Sequence, residues 1–274
     1  MLFSLYIYTQ QAVSFATDEI RSVLYRGVGK HKFMSIRLIL FSSTLFLSSL
    51  SHGQERLDLA YFTLGLVNDY LGREYIKGDQ QSLTKVDEFH ETEIELINCL
   101  DSLIDLENKF RDRTERIDKK FVRRSDKECP NCNEFFIYKS KYLAQHTNSK
   151  YKFRFSKSWD MRDRKIYYGR LKKRTIKTPE QKIAFLTGVF IRYGMLKNGI
   201  YTIHLANSTS KFDLIQSFLK DIGCEILNVK INTQSVPIGQ YIEFMPNDRL
   251  KSELQKMMYV RRKIESQKSL VLSD

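Results

Sequence analysis

The sequence predicts an α+β fold in which helices pack on a small, mostly antiparallel sheet. Three observations favour this class. The last third of the chain alternates helical and strand patterns, 42% of the 274 residues are hydrophobic, and only four are proline. A chain of this length and composition can bury a sizeable core, so a disordered or linker-rich protein is excluded.

The best-defined elements lie in the last third. Thr178 is an N-cap and Pro179 a first-turn residue for a helix predicted over 180–196. The segment Ile200–Ala206 alternates with period two, as a half-buried strand does. The remaining predictions here are a helix over 209–222, strands over 224–231 and 240–244, a helix over 247–258 and a basic tail over 261–274.

The middle of the chain is predicted to be largely helical. Apolar residues are dense from Leu57 to Leu71, and from Leu83 to Phe121 they recur every three to five positions. The second pattern is typical of a long amphipathic helix or half of a coiled coil. The predicted division of the chain is an apolar segment 1–53, a helical arm 54–124, a small zinc-finger-like segment with a basic helix 125–178, an α+β domain 179–260 and the tail 261–274.

Charge is concentrated in two segments of opposite sign. Residues 87–107 contain eight acidic and no basic side chains, whereas residues 139–182 contain fifteen Lys or Arg and three acids. A dense basic stripe is the electrostatic footprint of a nucleic-acid ligand, because each phosphate neutralised releases counterions. A solvated basic face, or attraction to the chain's own acidic helix, would give the same count.

Aromatic residues inside the basic stripe favour nucleic acid over these alternatives. Bases can stack on aromatic rings, although core packing also accounts for some of them. The predicted ligand is DNA rather than RNA, and the predicted phosphate-binding residues are Lys157, Arg162, Arg164, Lys165, Arg170, Lys172, Lys173 and Arg174.

The N-terminal segment has two interpretations. Counted from Met34, a short cationic region, the apolar residues 38–50 and a small-residue exit form the pattern of a secretory signal peptide. The apolar part is too short for a comfortable membrane span, and 33 residues precede it. Either Met34 is the true start of an exported protein, or residues 36–50 form an ordinary helix of a cytoplasmic one.

Four cysteines do not make a disulfide framework, but Cys129 and Cys132 form a CxxC motif. With Phe135, Leu143 and His146 behind it, the segment resembles a C2H2 zinc finger. Tetrahedral zinc needs four ligands, and no second histidine follows His146 within five residues. The expectation is a degenerate, zinc-finger-like segment without a cofactor. Cys129, Cys132 and His146 would be the ligands if zinc binds.

Two glycines, Gly188 and Gly194, lie six residues apart in the predicted helix 180–196. Each costs a helix about 1 kcal/mol relative to alanine, so we expect another backbone to pack closely on that face. The segment Leu186–Gly194 resembles the LAGLIDADG signature of homing endonucleases, in which such glycines allow two helices to touch. The strand and helix patterns over 180–255 also resemble this family.

The resemblance implies a DNA-binding sheet, but the motif's acids are replaced. Its two acidic positions fall on Ile191 and Tyr193. Neither side chain can hold a hard divalent cation. The apolar and glycine pattern is closer to the non-cleaving WhiA-type regulators, with Phe185, Leu186 and Phe190 at the matching positions.

The sequence therefore favours a non-enzymatic DNA-binding protein. A diverged homing endonuclease and an exported, envelope-associated protein that oligomerises through helix 83–121 are the alternatives. A homodimer would form through helix 83–121 or helix 183–196, and membrane contact is expected only if residues 34–53 provide it.

Overall fold

A computed structural model describes residues 56–124 and 134–271 of the chain. Helices and antiparallel sheets pack around one hydrophobic cluster, which confirms the predicted α+β class. No helix of these two ranges is long and apolar enough to cross a membrane. The predictions for residues 1–53, and for Cys129 and Cys132, lie outside the described residues.

The first half of the described chain consists of a helix, a strand, an inserted segment, a further helix and a hairpin. In order these are α1 (Leu59–Leu66), β1 (Arg73–Ile76), α2 (Gln80–Thr84), β2 (Lys85–His90), α3 (Ile94–Asn108), β3 (Lys120–Arg123), β4 (Phe135–Lys139), α4 (Lys141–Ser149), β5 (Tyr151–Trp159) and β6 (Lys165–Leu171).

The second half has the same plan without the insertion, and it adds one strand and a final helix. Its elements are α5 (Pro179–Tyr193), β7 (Gly194–Lys197), β8 (Ile200–Ala206), α6 (Thr209–Asp221), β9 (Glu225–Asn232), β10 (Gly239–Met245) and α7 (Asp248–Val271).

The strand pairing shows an internal duplication. The sheets have the orders β1-β6-β5, β7-β8-β10-β9 and β2-β4-β3, and all pairs are antiparallel. In the first half β1 pairs with β6, the second strand of the β5–β6 hairpin, and in the second half β8 pairs with β10, the second strand of the β9–β10 hairpin. The units α1-β1-α4-β5-β6 and α5-β8-α6-β9-β10 therefore correspond. The segment 77–140, with the third sheet and all eight acids of residues 87–107, is inserted into the first unit.

Helices α1 and α5 cross at a pair of glycines. A Cβ added at Gly65 would overlap the carbonyl oxygen of Phe185 and lie 3.1 Å from the Cα of Gly188. A Cβ added at Gly188 would overlap the carbonyl oxygen of Phe62 and lie 3.2 Å from the Cα of Gly65. The contact is reciprocal, because each glycine touches the phenylalanine that stands three residues before its partner. The close backbone approach predicted from Gly188 is confirmed, and its partner is α1.

This internal contact changes two predictions. The glycine face of helix 183–196, expected to be available for a homodimer, is occupied by α1 of the same chain. Residues 54–124 are not a separate helical arm, because Phe62 and Leu64 belong to the same core as Phe185. Gly194 has another role than the one expected for it. It begins β7, where an added Cβ would overlap the ring of Phe190.

The long helix predicted over 83–121, with its coiled coil, is wrong. Residues 83–84 end α2, residues 85–90 form β2, Ile94–Asn108 is α3, and residues 120–123 form β3. Val86 and Phe89 are three residues apart, a spacing that fits a helix. Both are buried in a strand whose register shifts between Lys85 and Asp87, and this irregularity breaks the period-two pattern.

The basic helix predicted within residues 125–178 is also wrong. Residues 151–171 form the β5–β6 hairpin, and Lys173–Thr175 is a single 3₁₀ turn. Lys152 and Arg154 alternate with Phe153 and Phe155, which is the strand period. The high charge of the segment masks this alternation.

The last helix is longer than predicted. The sequence predicts a helix that ends at residue 258 and a basic tail over 261–274, but α7 continues to Val271. Arg261 and Ile264 are buried in the described fold, so this part of the chain belongs to the core. The other boundaries of the last third agree with the predictions to within about three residues.

The crossing predicts that Gly188→Ala destabilises the protein by about 2–3 kcal/mol, since the backbone of α1 cannot move aside. Helix propensity alone would favour alanine by about 1 kcal/mol, so the sign of the change tests the contact. Urea unfolding of the full chain measures it. Gly239→Ala is the control, because its added Cβ has no neighbour closer than 3.4 Å. Equal stability of both variants would contradict the crossing.

Candidate nucleic-acid interface

The C-terminal ends of α1 and α5 meet at the junction where the LAGLIDADG resemblance implies a metal. Counting three and five residues beyond each crossing glycine gives Asn68 and Tyr70 on one side, and Ile191 and Tyr193 on the other. None of these is a carboxylate. The hydroxyl of Tyr193 donates to the carbonyl of Leu66 at 3.3 Å. The positions that would hold the ion do not fit a hard divalent cation.

The last carbonyls of both helices instead accept hydrogen bonds from basic side chains. Lys211 Nζ donates to the carbonyls of Gly65 and Val67, and Arg192 Nη1 donates to that of Leu66 at 2.8 Å. Arg261 Nη1 donates to the carbonyls of Ile191 and Arg192, at 3.2 and 2.9 Å. Cations at helix C-termini satisfy unpaired carbonyls and complement the negative end of the helix dipole.

Carboxylates from the inserted segment complete the network around Arg192. Its guanidinium pairs with Asp87 in β2 and with Glu93, whose Oε2 lies 3.1 Å from Nη2. It also donates to the carbonyl of Glu88 at 2.8 Å. Burial opposes the charge on Glu93, but Arg192 and Lys268 hold the pKa of this carboxyl below its usual value. Glu93 is therefore an ionised partner of Arg192.

Asp69 lies beside Lys211 in the same buried cluster. Burial raises the pKa of Asp69, and Lys211 only partly offsets this. Burial also lowers the pKa of Lys211, whose Nζ is 3.8 Å from Asp69 Oδ1. An open cleft of about 600 Å³ adjoins this cluster and is lined in part by Arg73, Asp87 and Arg192. Each buried carboxylate near the junction already has a basic partner.

The basic residues predicted from sequence lie in three places. Lys157, Arg162, Arg164 and Lys165 are at the tip of the β5–β6 hairpin. Arg164 is part of the turn itself, since its guanidinium pairs with Asp160 at 2.7 Å and Asp79 at 2.9 Å. Lys172, Lys173 and Arg174 are exposed in the segment after β6, and Arg170 is exposed within β6.

Arg170 has neighbours that the sequence analysis missed. Lys152 lies directly opposite it, and Arg154 lies opposite Tyr168. Opposite residues of an antiparallel pair share a face, and all four side chains are exposed. Glu74 in β1 lies beyond Tyr168 on this face, which we call the basic face. The alternation from Lys152 to Phe155 was the signal that could have identified it.

The corresponding face of the second half is less basic. It carries Lys230, opposite Tyr241, whose hydroxyl donates to Glu243 at 2.8 Å. His204 is exposed on the same face of β8. The positive charge of residues 139–182 therefore lies mainly on the sheet of the first half.

His146, the predicted third zinc ligand, lies in α4 against α1. Its ring makes an edge contact with Tyr61, with 5.2 Å between centroids, and burial lowers its pKa to about 4. The aromatic residues of this segment pack on different partners. Phe135 packs on His90, Phe136 on Phe121, and Trp159 on Phe155. No group of three or more potential metal ligands occurs among the described side chains.

Comparison with solved structures finds the homing endonuclease I-DmoI. A set of its mesophilic variants gives a TM-score of 0.43 at 16% identity, covering 72% of this chain and 88% of that one. An I-DmoI variant in complex with its target DNA and manganese gives 0.44 at 15% identity, covering 72% and 92%. The I-DmoI complex with DNA and calcium gives 0.43 at 14% identity, covering 72% and 88%. Each TM-score is below 0.5, and nothing about the activity of this chain follows from it.

The other two comparisons give no match. No protein-family model matches the chain, and no curated protein matches it.

The ion pairs of Arg192 with Asp87 and Glu93 predict that Arg192→Met destabilises the folded protein by an amount that depends on pH. At pH 7.5 the free energy of unfolding of the variant should be lower by about 3–5 kcal/mol, because two buried carboxylates lose their partner. In the native chain the pKa of Glu93 is lowered, so the ionised carboxylate stabilises the folded state at any pH above the usual pKa of a glutamate. This contribution is lost as the pH falls through the pKa of Glu93 in the folded state. In the variant, burial without Arg192 raises that pKa, so acidification stabilises the variant.

The deficit should therefore be smaller at pH 5 than at pH 7.5 in urea unfolding. Lys256→Met, which breaks the surface pair with Glu253, is the control and should cost less than about 1 kcal/mol at both values. A deficit that does not change with pH would contradict the ionised pairing.

Proposed function

We propose that this chain is a non-enzymatic DNA-binding protein that holds the phosphate backbone on its basic face. The observation that carries the proposal is the exposed set of Lys152, Arg154 and Arg170 on neighbouring strands of one sheet. Lys152 and Arg154 are two residues apart on one strand, which separates them by about 6.7 Å. Phosphates recur regularly along a DNA strand, so a strand pair with this spacing can contact more than one of them.

The segment after β6 extends this surface in the proposal. Lys172, Lys173 and Arg174 continue directly from the strand that carries Arg170, and all three are exposed. Phosphate contacts of this kind position a protein on a duplex without reading its sequence. Tyr168, between the basic side chains, is a polar aromatic group that can donate to phosphate or sugar.

The proposal that the chain does not cleave DNA rests on the junction. A divalent cation there would need carboxylates, but those of Asp87 and Glu93 are engaged by Arg192. Removing one partner of a buried ion pair costs about 3–5 kcal/mol, which a bound cation would have to offset. The residues at the motif's acidic positions, Ile191 and Tyr193, offer no substitute.

Neutralising the basic face should weaken DNA binding and its salt dependence. For Lys152→Gln/Arg154→Gln/Arg170→Gln we expect at least about a 10-fold loss of affinity for a random-sequence duplex at about 0.1 M KCl. The slope of log K against log salt should become shallower by about 3, because each phosphate that is no longer neutralised removes about 0.9. Fluorescence anisotropy of a labelled duplex measures both.

The matched control is Lys251→Gln/Arg262→Gln/Lys263→Gln on α7. It removes the same charge from three exposed positions of another surface. If both triple variants lose the same affinity and slope, net charge explains the binding and the assignment to the basic face is wrong.

The junction predicts that the purified chain does not nick supercoiled plasmid with about 10 mM Mg²⁺ or Mn²⁺ over hours at about 37 °C, since the positions for the ion hold no free carboxylate. Nicking in excess of a metal-free reaction, and absent from an Asp87→Asn/Glu93→Gln variant, would establish the diverged endonuclease instead.

The proposal also places the chain in the cytoplasm, where it meets DNA. N-terminal sequencing of the protein from its native cell tests this. Cleavage near residue 53 would identify an exported protein and contradict a DNA-binding function.

A further inference from the structure

The β5–β6 hairpin has a second face that the proposed function does not use. Near its tip this face carries Phe155, Trp159 and Tyr167, which pack on one another. The ring centroid of Phe155 is 5.1 Å from that of Trp159 and 5.7 Å from that of Tyr167. Trp159 is 53% exposed and Phe155 38% exposed. We call this set the aromatic patch.

The aromatic patch lies at the outer end of a face whose inner end is core. At the inner end Tyr151 and Leu171 are buried, and Phe153 lies against Gly169, where an added Cβ would be 2.8 Å from its ring. Toward the tip the aromatic side chains Phe155 and Trp159 become exposed. Packing explains the inner rings but not the exposure of Trp159.

One lysine lies on the aromatic patch, and two more basic residues are exposed at the same tip. Lys165 is directly opposite Trp159 on the same face, and its Nζ is 5.4 Å from the centre of the Phe155 ring. Lys157 is exposed in β5 and Arg162 is exposed in the turn, and the backbone of Lys77 bonds to that of Lys165 at 3.2 Å. Two aspartates near the tip, Asp79 and Asp160, have their charges paired with Arg164.

The tip is held in one conformation by these pairs. Asp160 accepts bonds from the backbone of Arg162 and Arg164, at 3.0 and 2.8 Å, and from the Arg164 side chain. Arg164 in turn ties the turn to Asp79 at the start of α2. A preformed surface loses less entropy on binding than a flexible one.

We propose that the aromatic patch binds single-stranded nucleic acid, with an unpaired base stacked on Trp159 and Phe155 and its flanking phosphates on Lys157 and Lys165. The inference rests on the proposed function, because it assumes that the chain binds nucleic acid. It assigns duplex DNA to the basic face and single-stranded nucleic acid to the opposite face of the same hairpin. Every base has an aromatic face, so stacking requires no particular sequence. In a duplex these faces are covered by neighbouring base pairs, so the patch discriminates for unpaired nucleotides.

Trp159 is the only tryptophan of the chain, so its fluorescence reports on the patch directly. Titration of the full chain with an oligothymidylate of about 20 nucleotides should quench this fluorescence to saturation. A duplex of the same length should bind with little quenching. Trp159→Ala should weaken single-strand binding about 10- to 100-fold in anisotropy, which corresponds to about 1–3 kcal/mol per stacked base. Trp159→Phe should retain affinity within a few-fold.

Tyr259→Ala is the matched control. Tyr259 is an exposed aromatic residue on α7 with Lys263 5.5 Å from its ring centre, so it copies the chemistry of the patch on another surface. This variant should bind the oligothymidylate like the native chain. Equal affinity of Trp159→Ala and the native chain, or absence of quenching at saturation, would overturn the proposal.

A membrane surface is the other ligand that an exposed tryptophan beside a lysine could bind, and vesicles test it. Vesicles of phosphatidylcholine with phosphatidylserine should leave the emission of Trp159 unchanged. A blue shift with vesicles but not with oligothymidylate would identify a membrane-binding tip and overturn the proposal.

Duplex binding distinguishes failure of this inference from failure of the proposed function. Trp159→Ala should bind duplex DNA like the native chain, because the basic face is intact. If the basic-face variant loses duplex binding while Trp159→Ala does not lose single-strand binding, the proposed function stands and this inference fails.

Discussion

The backbone contact between Gly65 and Gly188 is the constraint on which the rest of the structure depends. It brings α1 and α5 together so closely that any side chain at either glycine would overlap a carbonyl of the other helix. The two halves of the chain therefore share one core, and their sheets extend from one pair of helices. Because the contact is reciprocal, it also relates the two halves, which otherwise differ by the insertion of residues 77–140.

Bringing two helix ends together creates an electrostatic problem that the surrounding residues resolve. The C-terminal carbonyls of both helices converge, and Lys211, Arg192 and Arg261 donate to them. These cations require counter-charges in a buried place, which Asp69, Asp87 and Glu93 provide. The insertion contributes two of the three acids, so it completes the charge balance of the junction as well as covering it. The carboxylates that could hold a divalent ion are thereby paired with Arg192 and Lys211.

The β5–β6 hairpin places basic residues on one face and aromatic residues on the other, although a charge count along the sequence does not distinguish the two faces. Alternation along β5 places Lys152 and Arg154 on one face and Phe153 and Phe155 on the other. Counting charge between residues 139 and 182 locates the stripe, but it cannot separate groups that face solvent from those that fix the turn. Arg164 shows the difference, because its two carboxylate partners make it part of the tip. One of these, Asp79, is 85 residues away in the chain, a distance over which no local pattern carries information.

The sequence by itself determined the α+β class, the elements of the last third and the need for a close neighbour at Gly188. These depend on local signals: a helix cap, a period of two or 3.6, and a residue without a side chain. Only the tertiary structure decided which backbone fills that place, that residues 85–90 are a strand, and that Arg192 pairs with carboxylates about a hundred residues away. The Phe-x-x-Gly pattern at Phe62 and at Phe185 was visible in the sequence. Its meaning was not, because neither segment identifies the other as its partner until both backbones are in place.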